Sequence, residues 1–296
     1  MSSVLKVVHV ERFPPGAEVP RALAFSVTGA PRPSLRLTAA AGRRLRIAAC
    51  APVFWARGNA SGSGAAVLLG AAPRVLAPFD REARARKGTW LWELMDQLVA
   101  SEESPLHDGT FALIPWQIEG NDDDRWTGIS HSTVESTFFV SSGGCPVVPL
   151  RTLPPPDDGR VKFFRKLARV GNLPPILLLY VSPLNATIVL DGHARLAGAL
   201  AEGGAIPAYC LQRALITDAV EPGESLAAFE GVYAKMAMER RDLTALNVGL
   251  SELHQPRMLR RPSRAWPLAG GASTWNAEVR ARARVLGIDV DDLTRE

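Results

Sequence analysis

The spacing of apolar and polar positions changes along the chain, and each change predicts a different element. Over the first 80 residues the period is two. The run at 4–10, VLKVVHV, is apolar and β-branched. Leu23, Phe25 and Val27 alternate with their neighbours, as do Leu35-Arg36-Leu37-Thr38 and Arg44-Leu45-Arg46-Ile47. Such alternation gives a strand one buried and one wet face. On this reading Arg44 and Arg46 point to solvent, with Arg43 at the strand's start. Pro14-Pro15-Gly16, residues 29–33 and Ala41-Gly42 punctuate the strands. At residue 90 the period becomes helical, and Trp90, Leu91, Leu94, Met95 and Leu98 form one stripe. FALIPWQI at 111–118 returns to a strand. Pro115 has no N–H to give a ladder and so predicts an edge position.

The second half interleaves the two periods. Residues 147–150 read as a strand and PPPDDG at 154–159 as a rigid turn. Residues 161–170 read as a basic amphipathic helix carrying Lys162, Arg165, Lys166 and Arg169. A buried strand follows at 176–180. A short apolar run at 188–190 passes through Asp191-Gly192-His193-Ala194-Arg195 into a helix with Leu196, Ala197 and Leu200 on one face. Gly203-Gly204 stops that helix, and a strand containing Ile206-Pro207 comes next. After Ile216 the pattern is helical over 226–240, 243–253 and 273–296. The chain therefore reads as α+β: a β-rich portion over 1–143, an α/β portion over 144–216 and a helical C-terminal extension over 217–296.

Composition narrows the classes. A chain of 296 residues with 47% apolar residues can bury a sizeable core. Lys and Arg exceed Asp and Glu by 34 to 30, a formal charge of +4. So small a surplus does not mark a dedicated nucleic-acid binder, and nucleic acid is not the favoured partner. Cys50, Cys145 and Cys210 are widely spaced, with neither a zinc pattern nor a disulfide framework, which fits a reducing cytoplasm. The N-terminus has no apolar signal core, and the longest apolar run, at 176–181, is too short for a membrane span.

Candidate chemistry concentrates at residues 191–195. A strand that turns at once into a helix leaves free N–H groups and the positive end of a dipole at the junction, which suits a phosphate or carboxylate. Asp191 can cap the helix, orient His193, hold Mg²⁺ or act as a base. Gly192 allows a close backbone approach. His193 can donate to a phosphate or act as acid or base; the plainer alternative is a ring packed in the first turn, on the Leu196 stripe. Arg195 is the best anion binder, because its fork matches phosphate geometry. A surface ion pair is its alternative, with Glu202, two turns on, as the nearest acid along the helix.

Other features carry plainer readings. NASGSG at 59–64 lacks the Lys-Ser or Lys-Thr of a phosphate loop. Asp122, Asp123 and Asp124 could hold a hard cation but lack EF-hand spacing, and read as a solvated loop. Ser130, His131 and Ser132 are neighbours in sequence without a nucleophile elbow. RMLRRPSR at 257–264 could meet phosphates, and reads first as a charged face.

The strand, the D-G-H-x-R-L turn, the small-residue helix and the following strand together resemble the ParB/sulfiredoxin-like superfamily over residues 146–215. Gly192 and Arg195 match the G-x-x-R of its partition proteins. The turn lacks the cysteine of sulfiredoxins. Asp191-Gly192-His193-Ala194-Arg195 is most similar to the turn of the superfamily's free-serine kinases. The resemblance implies nucleotide phosphates bound at Gly192, His193, Ala194 and Arg195, catalytic roles for Asp191 and His193, and ATP or ADP with Mg²⁺ as cofactor. It further implies phosphoryl transfer to a small molecule. A kinase of this type needs an acidic base early in the domain. Glu119, the 122–124 run, Glu135, Asp157 and Asp158 are candidates, and none aligns. The alternative is a non-catalytic nucleotide- or anion-binding regulatory module with a nucleic-acid or protein partner.

Overall fold

Period-two alternation allows two sheets to share one core, and the chain builds two. The computed structural model describes residues 5–13, 21–30, 33–49, 51–58, 64–69, 75–76, 89–118, 136–140, 147–217, 235, 257–287 and 289–294. The larger sheet contains β1 (Lys6–Phe13), β2 (Ala22–Thr28), β7 (Gly109–Ile118), β9 (Val147–Pro149), β10 (Ile176–Val181), β11 (Ala186–Asp191), β12 (Ile206–Thr217) and β13 (Arg257–Arg260). Its order is β1-β2-β7-β12-β10-β11-β9, with β13 also paired to β12. The smaller sheet contains β3 (Arg36–Ala40), β4 (Arg44–Ala48), β5 (Pro52–Gly58), β6 (Gly64–Leu69), β8 (Ser136–Val140) and β14 (Trp266–Pro267), in the order β14-β3-β4-β5-β6-β8. With helices packed on both sheets, the fold is α+β.

Leu23, Phe25, Leu113 and Ile188 of the larger sheet pack with Leu37, Ile47 and Phe54 of the smaller one, together with Leu94 and Leu98 of helix α1 (Trp90–Ala100). The opposite face of the larger sheet is covered by α2 (Gly159–Arg169) and α3 (His193–Leu200), where Val161, Leu196 and Ala197 meet Ile176, Leu178 and Val189. The strands β10 and β11 are thus buried on both faces, which is why they read as continuous apolar runs and not as alternation. The larger sheet draws strands from both sides of residue 144. β7 runs antiparallel to β12 from Phe111 opposite Arg213 to Ile118 opposite Ile206. The expected division of the chain there falls within one continuous sheet.

Three expectations need correction. Pro115 does not put β7 at an edge, because β7 lies between β2 and β12. Its pairing with β2 stops at Leu113, however, so Pro115 sits beyond the ladder on that side and its missing N–H leaves no gap there. Arg44 and Arg46 do not face solvent. Helix α4 (Gly271–Leu286) covers that face. Arg44 is buried and donates to Asn276 Oδ1 at 3.2 Å and to the Ala41 carbonyl at 3.0 Å. Arg46 pairs with Glu278 at 2.5 Å, and Glu278 also accepts from Trp55 Nε1 at 2.9 Å. Alternation was present, but a strand's polar face can be covered by a polar-lined helix as well as by water. Thirdly, the stretch after residue 217 is not wholly helical: it contributes β13 and β14 besides α4 and the short α5 (Asp291–Thr294). The helices expected over 226–240 and 243–253 lie, Lys235 excepted, outside the described residues.

Trp275 anchors α4. It is fully buried, and its indole N–H donates to the Leu45 carbonyl at 2.9 Å. Replacing it with Ala should destabilise the protein by about 3–5 kcal/mol, as for other buried aromatic truncations. Urea denaturation followed by fluorescence and circular dichroism checks this; a change below about 1 kcal/mol would mean that α4 is not held through this side chain.

Candidate functional site

The element order β9, α2, β10, β11, turn, α3, β12 brings the ends of several segments together at one edge of the larger sheet. β11 ends at Asp191. Gly192 follows with φ of +97°, a conformation that L side chains rarely adopt, and α3 starts at His193. A Cβ on residue 192 would lie 2.7 Å from Ile176 Cγ2 and 2.9 Å from both Nε and Nη2 of Arg195. Glycine is therefore required twice, for its backbone angle and for the guanidinium that lies against it.

Asp191 is not the helix cap. Gly192 occupies that position, and no side chain bonds to the first turn there. The Asp191 carboxylate instead accepts from Arg195 Nη2 at 2.5 Å. The pair has i, i+4 spacing, so Asp191 and not Glu202 is the acid that Arg195 meets along the chain. Glu202 serves a different purpose. It accepts from Arg165 Nε at 2.5 Å and from Arg169 Nε and Nη2 at 2.5 and 2.9 Å, binding the end of α3 to α2. Those hydrogen bonds hold its carboxyl well down, at about 2. Gly198 completes the junction. A Cβ there would lie 2.9 Å from Phe164 Cβ, so the two helices are in close contact.

Between α2, α3 and residues 151–154 lies a cavity of about 480 Å³. This is within the ordinary range for small-molecule sites. Arg151, Arg160 and Arg195 line it, with Asp191 as the carboxylate among the lining residues, so its charge is predominantly positive. Arg151 arrives there by register. β9 runs parallel to β11 with Val147 opposite Thr187 and Pro149 opposite Val189, and continuing that register brings Arg151 level with Asp191. Arg160 comes from the first turn of α2, whose cap is Asp158: its carboxylate accepts from the Arg160 and Val161 backbone N–H groups at 2.8 and 3.2 Å.

His193 lines this cavity and is 6% exposed. Neither ring nitrogen has a hydrogen-bond partner among the described residues. Burial, and then the charges of Arg151 and Arg195, push its pKa down to about 3. At neutral pH the ring is uncharged and offers one N–H donor and one lone-pair acceptor. Buried polar atoms are usually satisfied, and leaving them unpaired is costly. The orphaned imidazole thus marks a place where a polar ligand would find a partner. Asp191, engaged with Arg195, does not orient it.

All five residues 191–195 line the cavity. The acidic candidates fare differently. Asp158 is occupied as a cap and Asp157 is exposed. Glu119, Asp122, Asp123, Asp124, Ser130, His131, Ser132 and Glu135 lie outside the described residues. Of the basic residues expected on α2, Arg165 and Arg169 bind Glu202, while Arg160, which the sequence pattern did not single out, reaches the cavity. Arg260, Arg261 and Arg264 are not among its described lining residues. There Arg260 lies 4.1 Å over the Tyr180 ring and Arg264 5.0 Å over that of Trp266. Among the described residues no three His, Cys, Asp or Glu gather to hold a metal ion, and no helix is long and apolar enough to cross a membrane. Comparison with family profiles, characterised proteins and solved structures finds no match.

Two outcomes follow from this geometry. Gly192→Ala combines a disfavoured backbone with contacts under 3 Å, and should cost about 1–3 kcal/mol in urea denaturation. Stability unchanged within error would show that the turn tolerates a side chain. His193 makes stability depend on pH. The unfolded chain takes up its proton below about 6.5 and the folded chain only near 3. In that window the unfolded state binds more protons, so stability falls as the pH drops through it. His193→Gln should lose less stability than the native protein across the same window. Equal losses in both would show that His193 does not carry the effect.

Proposed function

We propose that the cavity at the 191–195 turn binds a nucleotide through its phosphates. The observation that carries this is the buried, unpartnered His193 set among Arg151, Arg160 and Arg195 at the glycine turn. Guanidinium groups match phosphate oxygens in geometry and charge, and the neutral imidazole adds a donor without a second desolvated charge. The Ala194 and Arg195 backbone lies at the first turn of α3, where N–H groups and the helix dipole favour an anion. The element order and the D-G-H-x-R turn support the same reading through the resemblance to ParB/sulfiredoxin-like proteins. ATP or ADP is the nucleotide that resemblance favours. Mg²⁺ would reach the site on the phosphates.

Within that reading the activity is transfer of the terminal phosphoryl group to a small molecule. The transfer needs a group that takes the acceptor's proton. Asp191 is the carboxylate at the cavity, and its ion pair with Arg195 favours a second reading: a nucleotide- or anion-binding regulatory module that does no chemistry. Release of phosphate or formation of a phosphorylated product with Mg²⁺ separates the two.

Thermal-shift and calorimetric titrations with ATP, ADP, CTP and GTP, with and without Mg²⁺, test the binding. A nucleotide that binds the folded state raises the melting temperature. Arg160 is exposed, so Arg160→Ala should leave the fold intact and weaken binding about 3- to 10-fold, as for loss of one charge-assisted contact. No binding of any of the four at millimolar concentration would refute the proposal.

A further inference from the structure

A second cavity lies at the other end of β10 and shares no described lining residue with the first. Pro174, just before β10, borders the first; Leu179, Tyr180 and Val181 border the second. This one sits where the two sheets meet. Leu37 and Ile47 of the smaller sheet and Phe111 and Leu179 of the larger one give it an apolar floor. The segment from β13 to β14 passes between the sheets here, because β13 pairs with β12 and β14 with β3. It is stapled to the end of β10. The Ser263 N–H donates to Ser182 Oγ at 2.9 Å, the Ser182 N–H to Ser263 Oγ at 3.0 Å, and the Ser263 hydroxyl to the Tyr180 carbonyl at 3.0 Å. Arg213 Nη1 donates to the Pro262 carbonyl at 3.0 Å.

The charge at this cavity has one sign. Arg36, Arg213 and Arg264 are among its described lining residues, and no Asp or Glu is. Neither Arg213 nor Arg264 has an ion pair among the described residues. Burial, and then the charges of Arg264 and Arg261, push the pKa of Arg213 down, as for a cation set among cations. Its Nε is buried and has no hydrogen-bond partner among the described residues, where buried polar atoms are usually satisfied. Arg264 is exposed and lies 5.0 Å over the ring of Trp266, another lining residue. Leu37, Ile47 and Phe111 are buried, so the cavity is apolar within and cationic toward solvent. Its volume is about 50 Å³. A water-sized group needs about 10–15 Å³, so the floor takes a chain of about four carbons.

We infer that this second cavity binds a short aliphatic monocarboxylate of about four to six carbons, with its carboxylate at Arg213 and Arg264 and its tail on the floor between the sheets. A carboxylate matches a guanidinium fork, and the tail gains by leaving water. A phosphate would meet the same arginines but press its remaining oxygens against the apolar floor, where they find no donors. The inference is independent of the nucleotide reading of the first cavity.

The indole N–H resonance of Trp266 in the ¹⁵N-labelled full chain, assigned with Trp266→Phe, reports on this cavity and not on the first. It is followed during titration with acetate, butyrate, hexanoate, hexanol and inorganic phosphate at constant ionic strength. Affinity should rise about two- to fourfold per methylene from acetate to hexanoate. Hexanol, which lacks the charge, should bind at least about 10-fold more weakly than hexanoate. Arg264 is exposed, so Arg264→Gln should fold, as circular dichroism verifies, and should weaken hexanoate binding about 5- to 10-fold. Arg160→Ala, at the first cavity, should leave it unchanged. The inference is overturned if hexanoate at millimolar concentration does not move the Trp266 resonance, if acetate or hexanol binds as tightly as hexanoate, or if Arg264→Gln binds hexanoate as the native protein does. A shift with phosphate as strong as that with hexanoate would overturn the carboxylate assignment.

Discussion

The cavity depends on the absence of a side chain at residue 192. A strand buried on both faces arrives at Asp191, and the chain must turn into a helix within one residue. At φ of +97° only glycine does so without strain. The same lack of a Cβ leaves the space in which the Arg195 guanidinium lies, close enough to reach the carboxylate four residues back. Asp191, Gly192 and Arg195 are thus one device. The side chains of Arg195 and Asp191 are 5% and 16% exposed, and in such surroundings an arginine without its carboxylate would be an uncompensated buried charge. The pair fixes the first turn of α3, and the first turn of α3 carries His193 into the cavity.

A rigid turn is of little use if the opposite wall drifts. The second wall is α2, and two contacts of different kinds fix it. Gly198 lets the helix backbones approach until Phe164 and Arg165 are in contact with α3, which supplies shape. Glu202 then takes three hydrogen bonds from Arg165 and Arg169, which supplies registry. Single surface ion pairs contribute little, but a carboxylate shared between two arginines also defines an angle between two helices. On the far side of the molecule α4 does comparable work on the smaller sheet through Trp275, Glu278 and Asn276. In both places a polar residue that reads as solvent-facing along its own element is matched by a polar residue from a distant one.

That difference separates what was legible in the sequence from what was not. Elements set by local periodicity were readable. α1, α2, β10, β11 and α3 fall where their patterns predict, and the 191–195 turn that joins β11 to α3 is among the lining of one cavity. Features set by partners far along the chain were not. Arg44 and Arg46 find their partners more than two hundred residues later, and a period-two pattern cannot distinguish water from a covering helix. Arg151 reaches the cavity only because β9 pairs in parallel with β11, a pairing that strand patterns alone do not specify. Capping, the common use of an aspartate before a helix, is one of several roles that the sequence leaves open to Asp191. A residue spacing of four from Arg195 was equally visible and in fact decides its partner.

The electrostatics of the site also bear on how it would respond to an anion. His193 is held neutral first by burial and then by Arg151 and Arg195. Burial persists when a ligand enters, but the arginine charges would be offset by phosphate oxygens. An anion at the 191–195 turn therefore removes part of what keeps the imidazole unprotonated and adds an attraction for its charged form. Binding and protonation become coupled with a definite sign: an anionic ligand raises the proton affinity of His193, and a proton on His193 raises the affinity for the anion. Neutrality in the free state is what makes this coupling available. A histidine already charged there would face two arginines at close quarters in a buried site, with Asp191 committed to one of them, and the turn would be destabilised in the absence of its ligand.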